Sequence, residues 1–238
     1  MNLHWIMPAK GRVNVRPFCC GMRVNLFMNR LKDRNLYLVI TEEYCRGRTA
    51  VEVARRAIAG GVDIVQMREK DRQRTELIAK GKELLAVCRT GGVPLIINDD
   101  PKLALEIGAD GVHLGQEDLQ RFPIEKARGL VGPDGIIGIS THSLAQFREA
   151  EGWDVDYIAF GPVFPTKIKD YSIGTSDVKT AASSAKKDIF FIGGINLSNV
   201  KKLSVEGCRK IAVIRAITEA EEIEDAARLL KKEVMAWQ

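Results

Sequence analysis

The 238-residue sequence predicts an α/β chain folded as a (β/α)8 TIM barrel, one catalytic domain over 35–238 behind a basic extension over 1–34. Three observations lead there. From residue 36 onward, short β-branched runs alternate eight times with stretches of helical period, within the roughly 200 residues that the smallest such barrels use. Most of these runs are continuously apolar, as parallel strands covered on both faces are. Polar residues also gather at the same end of one run after another, the end where this fold carries its functional loops. A doubly wound open sheet is the rival architecture. It would place a GxGxxG turn after its first strand, and the residues after Leu36–Thr41 read EEYCRGRT instead.

Taken in order, the first strand is Leu36–Thr41, and the helix Thr49–Gly60 follows, with Thr49 as its N-cap and Gly60 as its stop. The second strand, Val62–Met67, runs into Gln66, Arg68 and Lys70, which alternate with Met67 and Glu69. An extended chain places the amide and the two cations on one face, a receptor for a multiply charged anion. The helix Arg74–Thr90 leads to a third strand, Pro94–Asn98, which ends in Asn98-Asp99-Asp100 ahead of Pro101, a residue suited to the first turn of the helix Pro101–Gly108. The fourth strand, Gly111–Leu114, carries His113 between apolar neighbours, as a satisfied interior residue, and gives way to Gly115-Gln116-Glu117-Asp118. Two or three acids facing one cavity beside cations suit a hard divalent ion, most simply Mg2+, with helix capping the other reading for Asp99 and Asp118 and the favoured one for Asp100.

After a helical stretch around Ile124–Leu130, the strand Ile136–Ser140 runs into Thr141-His142-Ser143, where hydroxyl and N–H groups suit a phosphate. His142 is a candidate for proton transfer, although a loop histidine more commonly bonds backbone. The helix Ser143–Gly152 and the strand Asp156–Gly161 come next. The long loop GPVFPTKIKDYSIG (161–174) is stiffened by two prolines and carries Thr166, Lys167 and Lys169, a cover for a charged ligand. Past the helix Thr175–Lys187, the strand Ile189–Gly193 delivers Gly193-Gly194-Ile195. Past the helix Leu197–Gly207, the strand Lys210–Arg215 delivers Ile214-Arg215-Ala216, and the helix Glu219–Trp237 closes the chain. Loops after the last two strands are the recurrent phosphate site of this fold.

Composition narrows the function classes. The net charge of +5 is concentrated in residues 1–34, where seven Lys/Arg face one acid, so the remaining 204 residues carry −1. A near-neutral body argues against nucleic acid as the main partner. No apolar run approaches the roughly 18–20 residues that cross a bilayer. Five cysteines without CxxC or metal-finger spacing fit free thiols in a reducing cytoplasm. The extension lacks a signal-peptide h-region and is expected to be a disordered tail, an overlong start ahead of Met22 or Met28, or a helix packed on the barrel. Oligomeric state is left open, a homo-oligomer included. The residues describe two anion sites at one mouth, the first metal-assisted and the second a backbone cradle. No serine or cysteine nucleophile with a paired base and no Schiff-base lysine is visible, so metal-assisted departure of pyrophosphate is the reaction class expected.

The segments LYLVIT, QMREK, INDD, GADGVHLGQEDL, GISTHS, DYIAFGPVFPTKIK, FIGGI and IAVIRAI, in that order over about residues 36–217, resemble the thiamine-phosphate synthase family. The resemblance implies a transferase that joins an aminopyrimidine methyl diphosphate to a thiazole phosphate, or its carboxylated form, with dissociative loss of pyrophosphate. It implies that Gln66, Met67, Arg68, Glu69, Lys70 and Asn98 hold the pyrimidine diphosphate, that Asp99 and Asp118 hold Mg2+, and that Ser140 lies near the reacting pyrimidine. Lys169 would reach the diphosphate. Thr166, Lys167, Ile168, Gly194, Ile214 and Arg215 fall on the thiazole-phosphate side, with Arg68, Lys70, Ser140 and Lys169 carrying catalysis. Two positions depart from the pattern: Ile168 stands in PTKIK where PTxTK is usual, and Arg215 where a serine is usual. The other readings are a thiazole tautomerase using His142 as base and a non-catalytic binder of thiamine precursors.

Overall fold

A computed structural model describes residues 31–69, 72–166 and 171–237. Its eight strands are β1 (Leu36–Ile40), β2 (Ile64–Met67), β3 (Leu95–Asn98), β4 (Gly111–Leu114), β5 (Ile136–Thr141), β6 (Tyr157–Phe160), β7 (Asp188–Ile192) and β8 (Ile211–Val213). Each pairs in parallel with its sequence neighbour, and β8 returns to β1 through Tyr37↔Ala212, so the sheet is a closed barrel. Side-chain alternation divides the core in two. Tyr37, Ile64, Ile96, Ile136, Tyr157, Phe190 and Ala212 fill the lumen. The intervening positions, such as Leu38, Val65, Ile97, Ile137 and Ile158, pack outward under the helices. Burying each such side chain contributes about 1.5–3 kcal/mol.

The helices begin and end where the local chemistry directs. Thr49 caps Ala50–Ala59 by accepting the Glu52 N–H, and Asp100 caps Pro101–Ile107 by accepting from Lys102 and Leu103. Three expectations fail near the C-terminus. The helix expected over Leu197–Gly207 is confined to Lys201–Ser204, because Asn196 and Asn199 side chains capture the backbone N–H groups of Ser198 and Asn196. The last strand stops at Val213 because Ile214 (φ −118°, ψ −91°) turns the chain, so Arg215 opens a separate short helix, Arg215–Thr218. The terminal helix then starts at Ile223, not Glu219.

The strand N-termini form a floor braced by aspartates. Asp63, just before β2, accepts the N–H of Leu36 at the start of β1 (2.9 Å). Asp110 before β4 does the same for Leu95 of β3 (2.9 Å), and Asp156 before β6 for Ile137 of β5 (2.7 Å). In the last pair Asp188 opens β7 and meets Lys210, ahead of β8, at 3.0 Å. Buried Lys210 also donates to the carbonyls of Leu31, Lys32 and Arg34. Leu31–Arg34, grouped with the extension on sequence grounds, thus line the barrel floor.

Candidate functional site

At the opposite end, the C-terminal strand ends surround a cavity of about 460 Å³, with Arg68, Ser140, His142, Pro162, Thr166, Gly194, Asn196, Ile214 and Arg215 in its wall. Arg68 is placed by its own backbone: its N–H donates to Ile40 (2.9 Å), and its carbonyl accepts the Thr41 hydroxyl (2.6 Å). Its guanidinium makes no ion pair with a described carboxylate. Across the cavity Arg215 lies 5.8 Å from the Tyr44 ring centroid and likewise has no carboxylate partner among the described residues. Two guanidinium groups in one cavity, neither with a carboxylate partner among the described residues, suit anionic ligands.

Beneath the mouth runs a chain of buried polar groups. The Gln66 Nε2 donates to the Tyr37 hydroxyl (2.8 Å), which lies 2.8 Å from the Tyr157 hydroxyl. Tyr157 is 3.0 Å from His113 Nδ1, and His113 Nε2 is 2.8 Å from Ser140 Oγ. Burial, reinforced by the charges of His142 and Arg68, pushes the His113 imidazole down to about 4, so the ring is neutral near pH 7. Tertiary structure thus brings His113 to Ser140 across 27 residues of sequence, a neighbour that the strand pattern alone did not show. The thiols carry no such chemistry. Burial pushes Cys45 up to about 11, and Cys88 and Cys208 up to about 12, and all three are free.

The carboxylate side is shaped by an unusual turn. Asp99 has φ of 65°, a region that L residues rarely occupy, and the Asp100 N–H bonds back to Asn98 O (2.8 Å) across it. That is a γ-turn with positive φ, held by the Asp99 N–H on His113 O (2.8 Å). Asn98, in register with His113, falls on the lumen side by alternation from Ile96. Asp118 sits in the turn Glu117–Gln120 and accepts the Gly115 N–H at 2.7 Å, and a Cβ at Gly115 would approach its Oδ2 to 3.1 Å. No cluster of three or more His, Cys, Asp or Glu suited to a metal occurs among the described residues. Asp99 and Asp118, on the loops after β3 and β4, are hard oxygen donors of the chemical kind that Mg2+ takes one or two at a time, with water completing its shell.

Gly193 and Gly194 have positive φ (101° and 67°), and a Cβ on either would collide with the 162–165 loop, 2.4 Å from Pro162 and 2.7 Å from the Pro165 carbonyl. Glycine is required here by close packing as well as by the turn. His142 Nδ1 lies 2.7 Å from Gly161 O, which fixes its proton on that nitrogen and ties the β5 loop to the β6 loop.

Not every expected residue reaches the cavity. Met67 is buried in the outer core, and the Glu69 carboxylate accepts the Glu42 N–H (2.9 Å), so both side chains face away from the lumen. Lys70, Lys167, Ile168 and Lys169 lie outside the described residues. Tyr37, Tyr157, Tyr44 and Asn196 were missed. The two buried tyrosines look like ordinary strand aromatics, and only the tertiary pairing of their hydroxyls distinguishes them.

A family model described as thiamine monophosphate synthase matches residues 36–217. The chain is 40% identical to thiamine-phosphate synthase of Halalkalibacterium halodurans over 196 residues, covering 81% of this chain and 92% of the relative. It is 42% identical to the Thermus thermophilus protein of the same name over 201 residues, covering 83% and 95%. Among solved structures, thiamine phosphate pyrophosphorylase from Pyrococcus furiosus superposes with a TM-score of 0.78 at 36% identity, over 87% of this chain and 98% of that one. KGPDC from Streptococcus mutans, at 13% identity and a TM-score of 0.57, shares the fold alone.

Proposed function

The chain belongs to the thiamine monophosphate synthase family, and from that premise we propose how this barrel joins an aminopyrimidine methyl diphosphate to a thiazole phosphate with release of pyrophosphate. The observation that carries the reading is the pair of guanidinium groups in one cavity with no carboxylate partner among the described residues, Arg68 on the β2 side and Arg215 after β8. Two anionic substrates meeting in one site need two such receptors. Arg68 in the cavity wall, with Asn98 at the end of β3 and Asp99 and Asp118 on the loops after β3 and β4, makes the diphosphate side, and Arg215 with Gly194 and Ile214 the monophosphate side.

In a dissociative reaction negative charge grows on the departing diphosphate. A fixed guanidinium there stabilises the transition state more than the ground state. Arg68, whose backbone is held by Ile40 of β1 and by Thr41 just after it, stands in the cavity wall where that charge would develop. The family resemblance adds Lys70 and Lys169, outside the described residues, as further cations for the diphosphate. Asp99 and Asp118 would hold Mg2+, which when bound supplies further neutralisation of the leaving group. The thiazole nitrogen attacks with its own lone pair, so the forming C–N bond needs no general base. Ser140 stands at the cavity wall beside the pyrimidine, and His142 orders the adjoining loop through Gly161.

The test is pyrophosphate release on mixing the purified protein with both precursors, with and without Mg2+. Release that requires Mg2+ and the thiazole phosphate, with thiamine phosphate formed in equal amount, is the expected result, and Asp99→Ala should abolish it. No release from a protein that demonstrably binds the thiazole phosphate would overturn the assignment.

A further inference from the structure

The buried chain from Gln66 to Ser140 has a direction, and that direction follows from counting protons. The Gln66 Nε2 can only donate, so the Tyr37 oxygen receives, at 2.8 Å. Tyr37 then has one proton left, and its other partner is the Tyr157 oxygen at 2.8 Å. Tyr157, having accepted, passes its own proton to His113 Nδ1 at 3.0 Å. A neutral imidazole that accepts at Nδ1 carries its proton on Nε2, and that nitrogen faces Ser140 Oγ at 2.8 Å. The Ser140 hydroxyl has now accepted, and its proton is left for the cavity. Gln66 Oε1, at the other end, accepts nothing from the described residues.

We infer that Tyr37, Tyr157 and His113 are positioning residues that fix Ser140 as a hydrogen-bond donor, and Gln66 as an acceptor, toward the bound pyrimidine. None of the three needs to touch substrate. They act through the two residues that end the chain. The arrangement holds because its middle is dry: Tyr37 and Tyr157 are buried, edge-on to each other and to Phe190 at 5.4–5.7 Å, so no water competes for their hydroxyls. His113 stacks on Tyr157 at 5.6 Å, which holds its ring plane. It also follows that the Ser140–His113 pair is no nucleophile and base, since the nitrogen facing Ser140 already bears the proton. The substrate class this polarity selects is a heteroaromatic ring with an amino donor for Gln66 and an acceptor atom for Ser140. The hydroxy analogue, with an oxo group and a ring N–H, presents the reverse. The substrate part of the inference rests on the proposed function, and the polarity of the chain does not.

The two parts separate in experiment. The chain has three histidines, so histidine-selective 15N labelling with His113→Gln for assignment reads the His113 tautomer in ligand-free protein. A neutral ring protonated on Nε2 is expected, changing to a tautomer mixture in Tyr157→Phe. A proton on Nδ1 in the native protein, or no change in the variant, overturns the inference whether or not the protein proves to be a synthase. In steady-state kinetics, Tyr37→Phe and Tyr157→Phe should each raise KM for the pyrimidine diphosphate by roughly tenfold and leave KM for the thiazole phosphate unchanged. Added to Ser140→Ala, Tyr157→Phe should raise that KM by clearly less than it does alone, because one of the two ends through which it acts is already gone. Equal losses for both substrates, or additive losses in the double variant, would mean that the tyrosines only support the fold.

Discussion

Replacing Arg215 by serine tests the monophosphate side at the residue where this chain departs from its family's usual small side chain. Arg215 stands at the cavity wall with no carboxylate to neutralise it among the described residues, and the Tyr44 ring lies 5.8 Å beneath its guanidinium. A charged hydrogen bond to phosphate contributes about 1.5–3 kcal/mol, or roughly a 10- to 100-fold change in affinity. The cavity is open to water and the side chain half-buried, so screening favours the lower end of that range. Arg215→Ser should therefore weaken thiazole-phosphate binding by about tenfold, read by calorimetry and as KM, while KM for the pyrimidine diphosphate holds. The loss should shrink as salt rises, because the contact removed is between ions. Tyr44→Leu removes only the cation–π contact and should cost about two- to fivefold. Thiazole-phosphate binding that is equal or tighter in Arg215→Ser would show that the arginine fills the cradle instead of gripping the ligand.

Arg68→Met should lower kcat by about 10²–10³, with Arg68→Lys recovering only part, because the fork as well as the charge serves the leaving group. A loss within threefold would remove Arg68 from the transition state. Asp63→Ala leaves the N–H groups of Asn35 and Leu36 and the Lys231 ammonium without their shared acceptor. It should destabilise the barrel by about 3 kcal/mol, a fall in Tm of about 6–12 °C, with kcat of the folded enzyme unchanged. Burial alone would raise the Asp100 carboxyl, but the Leu103 N–H, the Arg74 guanidinium and the Lys102 N–H together hold it below the usual carboxylate range. A depressed native pKa contributes stability in full above the unfolded value of about 3.9 and loses it as pH falls through the native one. Asp100→Ala should thus cost about 1 kcal/mol from pH 7 down to about 5, and the gap from wild type should close only in stronger acid. A gap that closes as pH rises would contradict that sign.

Eight strands were legible because parallel strands buried on both faces read as apolar runs, and β4 was placed to the residue. The end of β8 was not, because IAVIRAIT contains no glycine or proline and the turn at Ile214 is made by backbone angles alone. On the diphosphate side, alternation along β2 correctly separated Gln66 and Arg68 from Met67 and Glu69. The family resemblance then swept the latter two into the substrate set, and the outer core and the Glu42 N–H hold them elsewhere. The Asp99 γ-turn had only Asn-Asp-Asp-Pro to announce it. The tyrosine relay had nothing, since hydroxyls from β1 and β6 meet across the lumen at a separation of 120 residues.

The aspartates on the barrel floor sort the chain into four latched strand pairs, β1–β2, β3–β4, β5–β6 and β7–β8. Each latch lies on or beside the loop that enters the second strand of its pair, so the floor loops are of two kinds. A chain break ahead of β2, β4 or β6 frees the residue that does the bracing. A break at Gly91–Gly92, ahead of β3, touches no latch, and both glycines are exposed to solvent. That makes it the natural seam of the ring: a circular permutant opened there keeps every brace, and the catalytic mouth lies at the other end of every strand.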